Sequence, residues 1–389
     1  MWTMESLKHD IFNMQVADTH NHFDIDPSME SISAQNFWDL GEYFWLRRHL
    51  WSAGYPVSTE NMSFEERADC YINAFKRTEN TIWARALKQG IRELYNIELN
   101  DKKSIYEIDQ AVKENARRKE SSLEVLDKAH VKWFVVNSTD KKRFGTLEEK
   151  AIGVPYININ FWAEKLQKGE PVTDMLQEYI RKLFERKVTG IRINAGMLNG
   201  MTYRKEVVFK DMTHDDCLIA TLHIIGAACE KFGLCIQIFL GVVNGYAGIP
   251  IPFEDTQIVP KLYGLFEKYQ GCTFSLLTAS QTQNIDVVNA ANIYSNVQAD
   301  GLWWYNLRPS SYKEVFECRL EELPSVRSAI VASDAYTAEW CYMKLNVIRQ
   351  ALYEFMVTQI QKGHIDEELA RIVSQNWLCH SAEELFGLN

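Results

Sequence analysis

The patterns that give cysteine a structural role are missing from this sequence. Its eight cysteines form no CxxC pair and show no zinc-ribbon spacing. Cysteines without such spacing are typically reduced core residues in proteins of the cytosol. We therefore expect a cytoplasmic protein that has neither a disulfide framework nor a zinc ion held by cysteine.

Long apolar runs are also missing. No stretch approaches the roughly 20 apolar residues that a membrane-spanning helix needs. Residues 1–5 have neither the basic nor the apolar part of a secretory leader. We expect a soluble chain without a membrane segment.

Basic residues are not concentrated in any long block, and the net charge is −10. This balance argues against nucleic acid and against an anionic membrane as partners. A small molecule is the expected partner, and the sequence leaves the oligomeric state open, a homo-oligomer included. With 389 residues, 46% of them hydrophobic, the chain can bury a large core.

From residue 131 onward, short apolar runs alternate with amphipathic segments of about 12 to 18 residues, which is typical of βαβ units. Together with 14–17, the predicted strands are 131–136, 154–158, 190–194, 234–240, 272–277, 297–302 and 328–332. The predicted helices are 172–186, 215–232, 256–269, 285–294, 312–322 and 335–361. Eight such strands favour an α/β fold of the (β/α)8 TIM-barrel type. A doubly wound open sheet is the alternative, but no GxGxxG follows the first strand.

The pattern divides the chain into four parts. Residues 1–29 hold the first barrel strand with its histidine motif, and residues 30–128 show helical periodicity without a convincing strand. We interpret the second part as a helical insertion after the first strand. Residues 129–362 form the rest of the barrel, and 363–389 form a C-terminal helical tail.

His20 and His22 follow the first apolar run. Side chains at i and i+2 leave a strand on the same face, so the two imidazoles can meet at one metal ion. Active sites of barrels lie at the C-terminal ends of the strands, where these histidines stand. Two unrelated histidines in a loop are the alternative interpretation.

Asp334 follows the eighth predicted strand by two residues, and that strand neighbours the first strand in a closed barrel. Its carboxylate can therefore reach His20 and His22, and two imidazoles with one carboxylate suit a single catalytic zinc or manganese ion. The alternative is that Asp334 is only the N-cap of a helix beginning at Ala335.

Arg192 would place a charge inside the barrel unless it meets an anion. A guanidinium binds a carboxylate through two parallel hydrogen bonds, so an acidic substrate would account for its position. An ion pair with a neighbouring acidic residue would account for it equally well. Arg48, in the helical insertion, is a second candidate anion contact if it lies over the barrel mouth, or else a solvated surface residue.

Several segments along the chain resemble uronate (glucuronate) isomerase of the amidohydrolase superfamily. They are Asp18-Thr19-His20-Asn21-His22, the helix from Leu40-Gly41-Glu42 to Arg48 with Ala53-Gly54 after it, 233–238, Asn296-Val297-Gln298 with Trp303-Trp304-Tyr305-Asn306, and Ser333-Asp334. The likeness spans nearly the whole chain. Its most specific part is the double tryptophan that follows Gln298.

The resemblance implies a metal ion bound by His20, His22 and Asp334. It also implies the reaction, the interconversion of an open-chain hexuronate, such as glucuronate or galacturonate, with its keto form. Aldose–ketose isomerisation needs a base, an electrophile on the carbonyl oxygen and an anchor for the remote carboxylate. We assign Asp334 as the base, the metal or its water as the electrophile, Arg192 as the anchor with Arg48 as a weaker candidate, and Trp303 as a wall for the sugar.

The chain departs from the family at three positions. Phe239 stands where the family has a metal-binding histidine, Tyr336 where it has an arginine, and Leu307 where it has an aspartate. With one ligand fewer, we expect a divalent ion, zinc or manganese, that is weakly bound. Two other functions stay open: a mononuclear metal-dependent hydrolase, and a sugar-acid-binding relative without catalysis.

Overall fold

The computed structural model describes residues 4–23, 31–195, 212–244, 250–252, 257–303 and 307–388. The motif residues Trp304, Tyr305 and Asn306 lie outside the described residues. The described strands are β1 Val16–Asp18, β2 Val131–Val136, β3 Ala151–Gly153, β4 Gly190–Asn194, β5 Cys235–Leu240, β6 Val242–Asn244, β7 Pro250–Pro252, β8 Phe274–Thr278 and β9 Val297–Leu302.

Helices cover most of the remaining described chain. They are α1 Met4–Asn13, α2 Phe37–Gly41, α3 Phe44–Ser52, α4 Phe64–Thr78, α5 Ile82–Tyr95, α6 Lys102–Ala116, α7 Ser121–Lys128, α8 Ile159–Gln167, α9 Val172–Glu185, α10 His214–Phe232, α11 Ile258–Lys261, α12 Tyr263–Lys268, α13 Gln283–Ile293, α14 Pro309–Glu322, α15 Ala338–Gln361, α16 Glu367–Gln375 and α17 Ser381–Phe386. Among the described residues, no helix is both long and apolar enough to cross a membrane.

The parallel strands form two sheets, which are ordered β1-β2-β3 and β4-β5-β8-β9. Backbone hydrogen bonds join these sheets on one side, because the Arg192 N–H donates to the Pro155 carbonyl at 3.0 Å and the Ile157 N–H donates to the Arg192 carbonyl at 2.8 Å. On the other side, residues 328–331 lie between β9 and β1. There the Ala329 N–H donates to Ala299 at 2.9 Å, and the Thr19 N–H donates to Val331 at 3.1 Å. The α/β barrel expected from the sequence is therefore confirmed.

Two of the predicted strands are placed differently in the structure. The strand predicted at 154–158 is observed at Ala151–Gly153, because Pro155 has no N–H with which to continue the ladder with β2. Residues 328–332 form isolated bridges at Ser328 and Val331 rather than a regular strand. One reason is that the Ile330 N–H donates to the carbonyl of Trp377 in the C-terminal tail, at 3.0 Å, instead of to a neighbouring strand.

The sequence pattern also missed several elements. Neither α1 nor α8 was expected, and β6 and β7 form an antiparallel pair that was not expected either. The helix predicted at 335–361 is α15, which begins at Ala338. The Thr337 side chain caps it by accepting from the Trp340 N–H. The remaining predicted helices from 172 onward are present with boundaries shifted by a few residues, and 256–269 is divided into α11 and α12.

The helices of the predicted insertion share one apolar core with the barrel helix α15. Helices α5 and α7 pack directly against α15. Polar contacts join the same surfaces, because the buried Glu339 carboxylate accepts from the Ala34 N–H and from the Tyr95 hydroxyl, each at 3.0 Å. This packing fixes α15. The first turns of this helix lie directly behind the end of residues 328–332, which form the eighth barrel segment.

The barrel interior contains a buried carboxylate, that of Asp300, which bonds to side chains from three other strands or strand ends. It accepts from Thr19 Oγ1 at 2.7 Å, from Gln237 Nε2 at 3.2 Å and from the Ser275 hydroxyl. Its own neighbour supplies a further donor, the Gly301 N–H, at 2.6 Å. Asp300 therefore ties β5, β8 and β9 to the residue that precedes His20.

We predict that Asp300→Asn lowers the free energy of unfolding by about 2–3 kcal/mol, because an amide turns an N–H₂ donor toward groups that are themselves donors. Urea unfolding followed by circular dichroism measures the change. Asp174→Asn, at an exposed carboxylate of α9, is the control and should stay within about 0.5 kcal/mol. Equal stability of the two variants would contradict the structural role of Asp300.

Candidate active site

The end of β1 and the segment after residue 331 continue to pair beyond the last regular strand residue. The Asp334 N–H donates to the His20 carbonyl, and the His22 N–H donates to the Ala335 carbonyl, both at 2.8 Å. Because the two segments run side by side, residues more than 300 positions apart in the sequence become neighbours. Strand-end geometry therefore places both histidines beside Asp334.

The side chains of His20, His22 and Asp334 converge. Asp334 Oδ1 lies 3.3 Å from His20 Nε2 and 3.0 Å from His22 Nε2. One ligand atom from each of the three residues lies within 4.8 Å of the others. The interpretation of His20 and His22 as unrelated loop residues is therefore wrong, and the three side chains form a cluster that could hold one metal ion.

Burial and neighbouring charges set the protonation states of this cluster. Burial, together with the charges of His22 and Arg192, lowers the pKa of His20 to about 3, although Asp334 acts in the opposite direction. Burial alone would raise the pKa of Asp334, but the Lys344 ammonium and the close imidazoles of His20 and His22 hold it well below its ordinary value. At neutral pH the cluster thus offers a neutral imidazole at His20 and an ionised carboxylate at Asp334, which are the forms that bind metals.

Asp334 is not a helix cap. Helix α15 begins at Ala338, and its N-cap is Thr337. Asp334 instead has a backbone φ of +53°, a left-handed conformation that is uncommon outside glycine and is enriched at functional sites. The capping interpretation is therefore wrong, and the unusual backbone turns the residue toward the histidines.

A cavity of about 510 Å³ opens beside the cluster, a size typical of small-molecule sites. Its described lining comes from the ends of several barrel strands and from the loops after them. The lining residues are His20, Asn21, His22, Phe23, Asn137, Ser138, Phe144, Tyr156, Arg192, Asn194, Phe239, Trp303 and Tyr336.

Aromatic rings form one wall of this cavity. The Phe239 ring lies 4.7 Å from the His20 ring and 5.0 Å from the Trp303 ring, measured between centroids, and the Trp303 ring lies 5.3 Å from that of His20. All three contacts are edge-to-face. Phe239 therefore points into the barrel mouth, beside a histidine of the cluster, and not outward into the helix layer.

Arg192 is the one cation among the described lining residues. The residue is 5% exposed, and its Nε and Nη2 have no hydrogen-bond partner among the described residues. Burial lowers its pKa to about 10, which the carboxylates of Asp18 and Asp300 oppose, so it stays protonated at neutral pH. The structure thus shows no direct ion pair for Arg192 with a described residue, and its unpaired donors lie at a cavity.

Arg48 does not belong to the described lining of the cavity. Its guanidinium lies over the rings of Phe44 and Trp45, 4.4 Å and 4.8 Å from the ring centroids. A role for Arg48 as an anion contact stays a prediction that these contacts do not support.

Three residues near the cluster were given no role in the site by the sequence analysis, although Tyr336 and Asp18 belong to segments that it names. Tyr336 stacks on His22, with the rings 4.7 Å apart and 8° from parallel. Lys344 and Asp18 are buried behind Asp334; burial lowers the pKa of Lys344 to about 8 and raises that of Asp18 to about 6. The only sequence signal for Lys344 was a lysine inside the apolar stretch of α15, a pattern that the helix periodicity alone does not distinguish from a surface position.

Phe239→His should tighten metal binding, because the position already points at the cluster and a histidine would supply a lone pair that the phenyl ring lacks. Isothermal titration calorimetry with Zn²⁺ measures the affinity. Phe239→Leu removes the ring without adding a ligand and is the matched control, for which we expect wild-type affinity. If Phe239→His leaves the affinity unchanged and lowers the melting temperature, the added imidazole is only a buried unpaired group.

No family model matches the sequence, and no curated protein matches it. Solved structures do match the fold across nearly the whole chain. Uronate isomerase from Bacillus halodurans C-125 has a TM-score of 0.79 with 16% identity over 99% of this chain and 96% of its own. Uronate isomerase from Thermotoga maritima has a TM-score of 0.81 with 14% identity, over 98% and 97%. Glucuronate isomerase from Caulobacter crescentus has a TM-score of 0.80 with 14% identity, over 99% and 94%. The chain therefore has the fold of the uronate isomerases, which confirms at the level of the fold the resemblance seen in its sequence.

Proposed function

We propose that this protein is a uronate isomerase-like enzyme that interconverts an open-chain hexuronate, such as glucuronate or galacturonate, with its keto form. The observation that carries the proposal is the position of Arg192, which is buried and has no ion pair with a described residue, in the same cavity as the cluster of His20, His22 and Asp334. An anion-binding group and a candidate metal cluster in one cavity suit a substrate that has a carboxylate and a reactive carbonyl. The shared fold supports the same function.

The cluster fits a single divalent ion, with zinc our first choice and manganese the second. Two imidazoles and one carboxylate are common zinc ligands, and a three-ligand site leaves positions for water or substrate. Nδ1 of His20 is buried without a hydrogen-bond partner among the described residues, so a nitrogen of this ring is available for coordination. When bound, such an ion would polarise a carbonyl oxygen as a Lewis acid. Because Phe239 supplies no lone pair, we propose that the ion is weakly held.

Arg192 anchors the substrate in this proposal. Its Nε and Nη2, which have no partner in the described part of the chain, can donate two parallel hydrogen bonds to a carboxylate. Binding there would also remove the cost of leaving buried donors unpaired. With the uronate carboxylate at Arg192, the aldehyde end of the substrate would lie toward His20 and His22, which line the same cavity.

Asp334 is our proposed base. Isomerisation moves a proton from C2 to C1 through an enediol. The O2 hydroxyl loses its proton and O1 gains one, so that the carbonyl passes from C1 to C2. The low pKa of Asp334 favours its role as a ligand and weakens it as a base, so experiments must separate the two roles. Trp303 and Phe239 present apolar surface along the path, which would shield an enediol from water.

The proposed partner is a free sugar acid, without nucleic acid or membrane. A cytoplasmic location agrees with the eight cysteines, all of which are free in the structure.

Incubation of the purified protein with D-glucuronate or D-galacturonate, followed by NMR, tests the proposal. We expect ketose to accumulate, and we expect the rate to fall after chelation and to return with added Zn²⁺ or Mn²⁺. Absence of ketose from every uronate tried in the metal-loaded protein would refute the isomerase function.

Asp334→Asn should abolish turnover while largely retaining the binding of a substrate analogue, because the amide keeps the shape of the side chain and loses the proton acceptor. Calorimetric titrations with an unreactive sugar acid and with Zn²⁺ accompany the rate measurement. They distinguish loss of the base from loss of the metal. A variant with near-native kcat would exclude Asp334 as the base.

Arg192→Met should weaken uronate binding much more than binding of the corresponding neutral hexose, because only the uronate has a carboxylate for the guanidinium. A lost charge-assisted hydrogen-bond pair of this kind corresponds to about 2–3 kcal/mol. Arg48→Met is the matched control, since Arg48 does not belong to the described lining. Equal losses for both sugars would indicate a structural arginine.

A further inference from the structure

Lys344 is a buried ammonium behind the cluster that the mechanism above does not use. It lies on α15, is 1% exposed, and its Nζ donates to the backbone carbonyl of Ser333 at 2.5 Å and to that of Asp334 at 2.9 Å. Its remaining surroundings are aromatic, with Nζ 4.6 Å from the centroid of the Tyr43 ring and 5.8 Å from that of Trp83. Two of its three N–H donors therefore bond to the consecutive carbonyls of Ser333 and Asp334, at the end of the eighth barrel segment.

Those carbonyls belong to the turn that contains Asp334. Consecutive peptide carbonyls of an extended strand point in opposite directions, so one ammonium cannot bond both of them unless the backbone turns between them. The left-handed φ of +53° at Asp334 makes that turn. A left-handed aspartate is a strained conformation that persists only where its surroundings hold it.

Asp18 binds the hydrogen-bond donors of the same turn, whereas Lys344 binds its acceptors. Its carboxylate accepts from the Ser333 N–H at 2.8 Å and from the Ser333 hydroxyl at 2.7 Å. Asp18 is fully buried at the end of β1, two residues before His20. A buried cation thus binds the carbonyls of the turn, and a buried anion binds its N–H.

We propose that Lys344 and Asp18 are positioning residues that hold the Ser333–Asp334 turn in its left-handed form, so that the Asp334 carboxylate faces His20 and His22. The inference rests on the metal site of the proposed function. Neither residue touches the substrate or the metal in this arrangement. Their effect is to orient the Asp334 carboxylate. The affinity for the metal therefore depends on Lys344, which is not among the described lining residues of the cavity.

A buried charge is a poor guide to stability, since an apolar replacement of similar volume can be neutral or even stabilising. Thermal stability alone therefore does not separate a positioning role from packing. Metal affinity does, because it depends on where the Asp334 carboxylate points.

The experiment compares Lys344→Met with Arg349→Met by calorimetric titration with Zn²⁺. Arg349 is the matched control, because it is also a buried cation of α15, and its Nη2 donates to the carbonyls of Met14 and Ala129 at 2.8 Å each. We expect Lys344→Met to bind Zn²⁺ about 10–100-fold more weakly, and Arg349→Met to bind it as the wild type does. The visible spectrum of the Co²⁺-loaded protein should change in Lys344→Met and not in Arg349→Met, since it reports the ligand geometry.

Wild-type Zn²⁺ affinity and an unchanged Co²⁺ spectrum in a folded Lys344→Met would overturn the inference and leave the isomerase function standing. If Lys344→Met does not fold, Asp18→Asn decides, because it puts an amide against the Ser333 donors and should weaken Zn²⁺ binding in the same way. Wild-type affinity in that variant would overturn the inference. Failure of the wild-type protein to bind Zn²⁺ or to convert uronates would instead count against the proposed function.

Discussion

The pairing of the first barrel strand with the last segment is the interaction on which the site depends. Backbone hydrogen bonds from Thr19 to Val331, from Asp334 to His20 and from His22 to Ala335 close the barrel and continue past its rim. Each of these bonds fixes the position of a residue that bears chemistry or precedes one. The cluster of two histidines and a carboxylate is therefore a direct result of closure, and a barrel left open at this seam would separate its members.

Closure also concentrates buried charge inside the barrel. Asp300 binds donors from three other strands or strand ends, Arg319 donates to the Asp300 carbonyl at 2.8 Å, and Asp18 and Lys344 hold the turn at Asp334. Charges in a low-dielectric interior are costly unless they are hydrogen-bonded, and these are. Arg192 differs, because both its Nε and its Nη2 lack a partner among the described residues, whereas only the Nε of Arg319 does. This difference supports the substrate-binding role that we propose for Arg192.

The aromatic side of the cavity sets this chain apart from the family pattern that its sequence resembles. Phe239 lies where a histidine is expected and packs on His20, while Tyr336 lies where an arginine is expected and stacks on His22. At both positions an aromatic ring touches one of the clustered histidines. Neither ring adds a positive charge, and Arg192 is the one cation among the described lining residues.

The sequence by itself determined the alternation of strands and helices, the i and i+2 spacing of His20 and His22, and the position of Asp334 at a strand end. These are local signals, and the barrel rule converts a strand-end position into a shared mouth. Local signals do not predict the direction of the Phe239 side chain. All six residues of β5 are buried, and a strand covered on both faces shows no alternation between apolar and polar positions. Tertiary structure alone decided that Arg192 lacks an ion pair with a described residue, that Thr337 rather than Asp334 caps α15, and that Lys344 reaches the turn at Asp334. Each of these depends on contacts between elements whose register and rotation are set by packing, which the spacing of residues along one element does not encode.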